Sequence, residues 1–217
     1  MDAAKNIITV LREATKNMMP PLIDLVVAEF GHDPYLIIIA CLLSLRAKDT
    51  TTIHVCRELF TRVRTPAAML ALNRQELERI IFKTGFYKNK ADVLQHVSRE
   101  LIERFGGLVP QSYDELISIK GVGPKTANLV LGLAFGTPAI CVDTHVHRIS
   151  NRLGLIKTAM PEQTEVALKR VLDKKDWIVW NHLLVIWGQN ICAPVSPRCS
   201  CCAIKGLCPR VGVSKSR

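Results

Sequence analysis

The sequence has no apolar run long enough to cross a bilayer. Its longest, Tyr35 to Leu45, falls well short of the roughly 20 residues that a transmembrane helix needs, so a spanning helix is excluded. A secretory leader is missing too, because MDAAKNIITVLREATK carries charges throughout and has no uninterrupted apolar core. The expectation is a soluble, intracellular protein. Alternating apolar and polar stretches of any length are absent, and strands are therefore not needed. There is no internal repeat, low-complexity tract or obvious flexible linker. Acidic residues are scarce, 19 Asp plus Glu against 29 Lys plus Arg, for a net charge of +10. That imbalance favours an anionic partner such as nucleic acid or a membrane surface, although charge alone does not choose between them.

What is present is a chain of 217 residues, 48% hydrophobic, able to bury a sizeable core as one large domain or two small ones. Apolar residues recur at spacings of three and four almost throughout, so the fold class read from the pattern is all-α. Met18-Met19-Pro20-Pro21 ends a first amphipathic helix. Gly31-His32-Asp33-Pro34 opens YLIIIACLLSL, which is apolar on every side and belongs in the middle of a helical bundle. Thr51 to Val63 follows, with Ile53, Cys56, Phe60 and Val63 on one face. Thr65-Pro66 supplies an N-cap and a first-turn proline, and Asn73 with Glu76 resembles a capping box. A longer helix begins near Lys88 and stops at Gly106-Gly107, and Ser112 with Glu115 caps the next. Thr164 to Leu172 and Trp177 to Ile191 complete the helices, the latter with a tryptophan row that reads as core.

Three stretches carry chemistry. Ile119-Lys120-Gly121-Val122-Gly123-Pro124-Lys125, between two helical patterns, is a helix-hairpin-helix pattern. Its glycines permit positive φ and close backbone approach, Val122 can plug between the helices, and Pro124 suits a first turn. Amides at the start of the second helix then suit a phosphate oxygen, a grip on nucleic-acid backbone without sequence preference. The plain alternative is a C-cap followed by a proline-started helix. Lys125 lies in that first turn, where the positive end of the helix dipole disfavours an ammonium. It is a candidate nucleophile for a Schiff base or, in the plain reading, a solvated phosphate contact. Asp143 precedes the amphipathic helix of Thr144, His145, Val146, His147 and Arg148; it reads as an N-cap whose carboxylate can also serve chemistry. His145 and His147 diverge on a helix, which fits phosphate, base or surface positions better than metal ligation.

The third stretch is the tail. Of the 8 cysteines, 5 lie between Cys192 and Cys208, and in a reducing compartment this clustering argues for a metal. Cys192-x6-Cys199-x2-Cys202-x5-Cys208 suits either a four-cysteine zinc site or a cubane iron-sulfur cluster. Cys201, beside Cys202, is an ambiguity that spacing leaves open. Cys41, Cys56 and Cys141 sit in apolar contexts and read as core.

Taken together, GVGPKTANLVLGLAFG, VDTHVHRISNRLGL and the cysteine tail resemble endonuclease III. LLSLRAKD at Leu42 to Asp49, TPAAMLAL at Thr65 to Leu72 and TGFYKNKA at Thr84 to Ala91 extend the likeness over nearly the whole chain, in order. The resemblance implies an all-helical, two-lobed helix-hairpin-helix DNA glycosylase, with DNA bound across the cleft between lobes. One lobe is a six-helix barrel over 27–137; the other joins 1–26 to 138–217 and holds the cluster. It further implies a monomer, cytoplasmic or associated with the nucleoid, acting in base excision repair on double-stranded DNA with damaged pyrimidines or abasic sites.

By this likeness Lys125 is the nucleophile and Asp143 assists it. Cys192, Cys199, Cys202 and Cys208 hold a [4Fe-4S] cluster, Cys201 being spare. Lys120, Gly121, Val122 and Gly123 are expected at the DNA, with His145 and Arg148, and Arg198, Lys205 and Arg210 as phosphate contacts of the cluster loop. The sequence departs from the best-known members at two positions: Arg46 stands where they have a glutamine that fills the gap left by the flipped nucleotide, and Phe86 stands at a wedge position often occupied by leucine. Two other readings are weighed. Among mismatch glycosylases on this scaffold, adenine-specific relatives carry a catalytic glutamate in the buried helix, and there is no Glu between Phe30 and Arg57; thymine-mismatch relatives often replace the lysine that is Lys125 here. A non-enzymatic DNA-binding or redox-sensing protein would not need Lys125.

Overall fold

The computed structural model describes residues 2–217. Among the described residues the chain is helical with no strand, and it forms two compact units, one of Pro21–Thr137 and one of 2–20 with Pro138–Arg217.

The continuous unit is built around a single buried helix. Helix α1 (Asp2–Thr15) belongs to the other unit; α2 (Leu22–Phe30), α3 (Pro34–Ser44) and α4 (Asp49–Phe60) open this one. Every residue of α3 from Tyr35 to Leu43 is buried, as expected of a helix without a polar face. Fully burying side chains of this kind is worth about 1.5–3 kcal/mol each. Asp33 sets its start, the side chain accepting from the Tyr35 and Leu36 amides at 2.9 and 3.0 Å. Around it lie α5 (Pro66–Ala71), α6 (Arg74–Ile81), α7 (Tyr87–Phe105), α8 (Tyr113–Ser118) and α9 (Pro124–Phe135), with α2, α4, α7 and α9 packed directly on α3. Tyr35 Oη and Ser98 Oγ, 2.8 Å apart and both buried, tie α3 to α7 inside the apolar core.

Local signals behave as their chemistry requires, with two exceptions. Thr65 Oγ1 accepts from Ala68 N at 3.1 Å and Ser112 Oγ from Glu115 N at 3.2 Å. Gly106 ends α7 in the left-handed region at φ 61°. Asn73 caps α6 by accepting from Gln75 N at 2.8 Å, but the expected capping box does not close, because Glu76 pairs with Arg62 instead. The unit boundary also lies after Pro20, whereas the sequence suggested 26/27: Leu22, Ile23 and Val26 are buried and α2 packs on α3 and α4.

In the other unit, α1 and α10 (Thr144–Arg152) pack on α12 (Trp177–Asn190), with α11 (Pro161–Val171) against α10. Its core joins Ile7 and Leu11 of α1 to Val146, Ile149, Leu168, Trp180, Leu184, Trp187 and Ile204. Trp180 and Trp187 are buried, so the tryptophan row is core, and Trp177 packs at its edge. Ile204 brings the irregular tail after α12 onto this same core.

Candidate nucleic-acid and cysteine sites

The hairpin is assembled by α8, the turn Ile119–Gly123 and α9. Ile119 and Val122 are buried, and the Val122 amide donates to the Ile119 carbonyl at 3.0 Å, so Val122 is the expected plug. Gly121 has φ 103°, and a Cβ there would come within 2.8 Å of Val93 Cγ1 on α7. Only glycine fits both the conformation and the space. Gly123 differs from expectation: its φ is −94°, it is the extended N-cap of α9, and a Cβ there meets nothing within 4 Å. What Gly123 contributes is an N-cap that brings no side-chain acceptor to the first turn. Arg104 of α7 donates to Ser118 Oγ at 2.7 Å and secures the hairpin's first helix.

Lys120 and Lys125 are exposed, Lys125 on the first turn of α9, whose inner face packs on α3. Its positive charge favours the thiolate of Cys41 on α3, yet burial dominates there and pushes that thiol up to about 12. Cys41, Cys56 and Cys141 are all buried, as expected of core thiols. Arg46 and Phe86 are exposed in the same unit, the guanidinium carbon 5.6 Å from the centre of the ring.

In the discontinuous unit, Asp143 caps α10, Oδ1 accepting from the His145 and Val146 amides at 2.9 and 2.8 Å. His145 and Arg148, expected at the DNA, are turned inward. Arg148 donates to the Cys192 carbonyl from Nε at 3.2 Å and Nη2 at 2.8 Å, and from Nη2 to His145 Nδ1 at 3.0 Å. A guanidinium has five donors in a fixed fork, and here the carbonyls of Cys192, Thr144 and Gly188 and the His145 ring engage it. His147 is engaged with Thr164 Oγ1 at 2.7 Å.

Four cysteines, Cys192, Cys199, Cys202 and Cys208, half-buried, line one cavity with Ile149, Leu153, Trp187, Ile191 and Ile204. It encloses about 430 Å³ of space, part of it open to solvent. Burial pushes the Cys202 and Cys208 thiols up. Arg152 Nη1 donates to Cys192 Sγ at 3.3 Å, and its guanidinium also holds the Ala193 and Pro194 carbonyls, each at 2.7 Å. Trp187 Nε1 is buried without a well-formed hydrogen bond and faces Cys202, whose thiolate it favours. A donor aimed at sulfur, an apolar wall and four thiols spread around one space fit a sulfur-ligated cluster. Cys201 points elsewhere, exposed, its sulfur 3.5 Å from the Arg198 carbonyl. Arg198, Lys205 and Arg210 stand exposed at the rim of the cavity.

Sequence reasoning missed Arg152 and Trp187. The available signal was the helical spacing of Arg148 and Arg152, which puts both on one face of α10 toward the loop.

The family model described as HhH-GPD superfamily base excision DNA repair protein matches residues 39–174. Endonuclease III of Thermotoga maritima is 44% identical over 176 residues, covering 81% of this chain and 83% of the relative. A solved non-covalent endonuclease III–DNA complex superposes with a TM-score of 0.85 at 33% identity, covering 95% of this chain and 94% of that one. An endonuclease III–DNA covalent intermediate, trapped as an estranged-adenine complex, matches with a TM-score of 0.77 at 36% identity over 87% of this chain and 92% of that one. With these likenesses and the hairpin built as described, the chain belongs to the HhH-GPD superfamily of base excision DNA repair proteins and, within it, to the endonuclease III family.

Proposed function

We propose that the protein is a bifunctional DNA glycosylase and AP lyase of base excision repair that removes oxidised pyrimidines from double-stranded DNA. The observation that carries this reading is its extensive likeness to an endonuclease III caught in covalent linkage to DNA, in a chain with an exposed lysine directly behind the hairpin. Gly121, Val122 and Gly123 present the start of α9 to a backbone phosphate, and Lys120 adds charge beside it. The damaged nucleotide leaves the stack, at a cost of a few kcal/mol of unpairing that DNA contacts must offset.

Lys125 Nζ then attacks the sugar C1′. The C1′–N bond breaks, and the base departs with its electron pair. The Asp143 carboxylate stabilises positive charge on the sugar and takes up the proton that lysine loses. Opening of the sugar ring gives an imine between Lys125 and C1′, which acidifies the C2′ hydrogen. Loss of that proton expels the 3′ phosphate, and the strand is cut by β-elimination. The test is a duplex with one oxidised pyrimidine: the expected products carry a 3′ unsaturated aldehyde and a 5′ phosphate, and an intact strand with only an abasic site would overturn the lyase half.

The four cavity-lining cysteines would hold a [4Fe-4S] cluster, which supplies a folded basic loop, not a reacting group. The spread of thiols around a cavity, with Arg152 donating to Cys192 Sγ, supports a polynuclear cluster over one tetrahedral ion. Purified protein is expected to contain about four irons per chain, with broad absorption near 400 nm. Cys201→Ser should keep the iron and Cys199→Ser lose it. Stoichiometric zinc in colourless protein would contradict the assignment.

A further inference from the structure

After Cys208 the chain runs back across the cysteine loop, and two anchors hold residues 209–217 there. At the root, the Val211 amide donates to the Arg152 carbonyl at 3.0 Å. Pro209 and Val211 lie against the turn that ends α10, where a Cβ at Gly154 would come within 3.1 Å of Pro209 Cγ and 3.8 Å of Val211 Cγ2. At the far end a single residue, Arg217, clips both sides of Cys199. Its amide donates to the Pro197 carbonyl at 2.8 Å, and its carbonyl accepts from the Ser200 amide at 2.9 Å. Its Nε donates to the Ser196 carbonyl at 3.2 Å.

Residues 214–217 read Ser-Lys-Ser-Arg, with no apolar side chain to bury, so hydrogen bonds rather than burial hold this end. The backbone is strained at both anchors: Ser196 has φ 48° and Arg210 φ 59°, left-handed values that residues with side chains seldom adopt. Such strain persists where neighbouring structure enforces it. Between the anchors Val213 is half-buried, while Val211, Gly212 and residues 214–217 are exposed. Val213 lines the same cavity as the four cysteines. The segment therefore supplies an apolar wall of that cavity and a clip on the turn that carries one of its thiols. Cys192 and Cys208 contact Arg152 of α10, and Cys202 lies beside Trp187 of α12; Cys199 has Arg217 bonded to the residues that flank it.

Two physical effects follow for a metal group held by these thiols. A thiolate on a fixed turn stays at high effective concentration beside its iron and outcompetes an external ligand. An apolar wall limits the access of water and solutes. We propose that residues 209–217 form a strap that retains the cluster, Arg217 acting as a positioning residue for the Cys199 turn and Val213 closing the adjoining wall. This rests on the iron-sulfur reading of the four cysteines, and the test separates the two.

Purified protein is mixed, without oxygen, with excess iron(II) chelator that colours on binding. The rate of iron transfer is followed alongside hydrogen exchange at the Ser200 amide. Arg217→Pro removes the donor to Pro197 and should speed both by about fivefold or more, the scale of one lost backbone hydrogen bond. Arg217→Ala keeps the backbone pair and should stay within about twofold of wild type, as surface substitutions do. Val213→Ser opens the wall without touching the clip, so it should speed iron transfer and leave Ser200 protection unchanged. Helical circular dichroism should match wild type in all three. Iron transfer at the wild-type rate from Arg217→Pro and Val213→Ser, or equal effects of Arg217→Ala and Arg217→Pro, would overturn the strap alone. Stoichiometric zinc in place of iron would remove the cluster reading and this proposal with it.

Discussion

Asp143 carries two assignments that one pair of substitutions separates. As a cap it needs only an acceptor at Oδ1, and asparagine caps as well as aspartate. Asp143→Asn should therefore leave unfolding free energy within about 0.5 kcal/mol of wild type, and Asp143→Ala should lose about 1 kcal/mol. Excision under single-turnover conditions should fall in both by at least roughly 10²-fold, the scale of a lost proton-transfer group. An asparagine variant with full activity would reduce Asp143 to a cap. Lys90, buried on α7, makes a different test, through pH. Burial pushes its ammonium down to about 8, below the ordinary lysine value near 10.4 that the unfolded chain retains. Between those values the unfolded state binds the extra proton, so Lys90 adds stability as pH rises from about 8 toward 10.4, and that contribution is lost as pH falls back through 8. Denaturant midpoints should show wild type gaining on Lys90→Met across this window; a constant difference would contradict the shift.

At the scale of elements, α10 and α12 meet through a contact that leaves no room for change. A Cβ at Gly188 would sit 2.1 Å from His145 Nδ1, so Gly188→Ala must expel the imidazole and with it the acceptor of Arg148. Loss of a few kcal/mol in thermal unfolding is expected, together with lower iron content, because Arg148 also holds the Cys192 carbonyl. Normal stability and iron would show that the side chain repacks without consequence. Such contacts were not legible in the sequence. Periodicity exposed α3 because a helix apolar on all sides has one place to go, and Thr65, Ser112 and Asp143 announced their caps because capping is local chemistry. The inward turn of Arg148 was hidden: an arginine on an amphipathic helix reads as surface until the Cys192 carbonyl it serves is in view. The choice of Glu76 between Asn73 and Arg62 was hidden for the same reason, since the competing partner comes from the turn after α4.

The hairpin and Lys125 lie in one unit, and Asp143 and the cysteine loop in the other. Much of this division could be read from residue order, because the hairpin glycines and the cysteine spacing are local patterns. The N-terminal boundary could not, as the pattern of α2 does not say which core its apolar face joins. The shared departure of Arg46 and Phe86 from the family pattern was visible, but the hold of Lys90 Nζ on the Leu43 and Thr84 carbonyls, shortly before them in the chain, was not, because it depends on two carbonyls from distant segments. The central claim, a covalent intermediate on Lys125, has a direct measurement: borohydride reduction during turnover of a lesion-bearing duplex, followed by mass spectrometry of the cross-linked peptide. The account predicts an adduct confined to Lys125 and absent from Lys125→Ala; an adduct on Lys120 or another lysine, or one that survives Lys125→Ala, would contradict it.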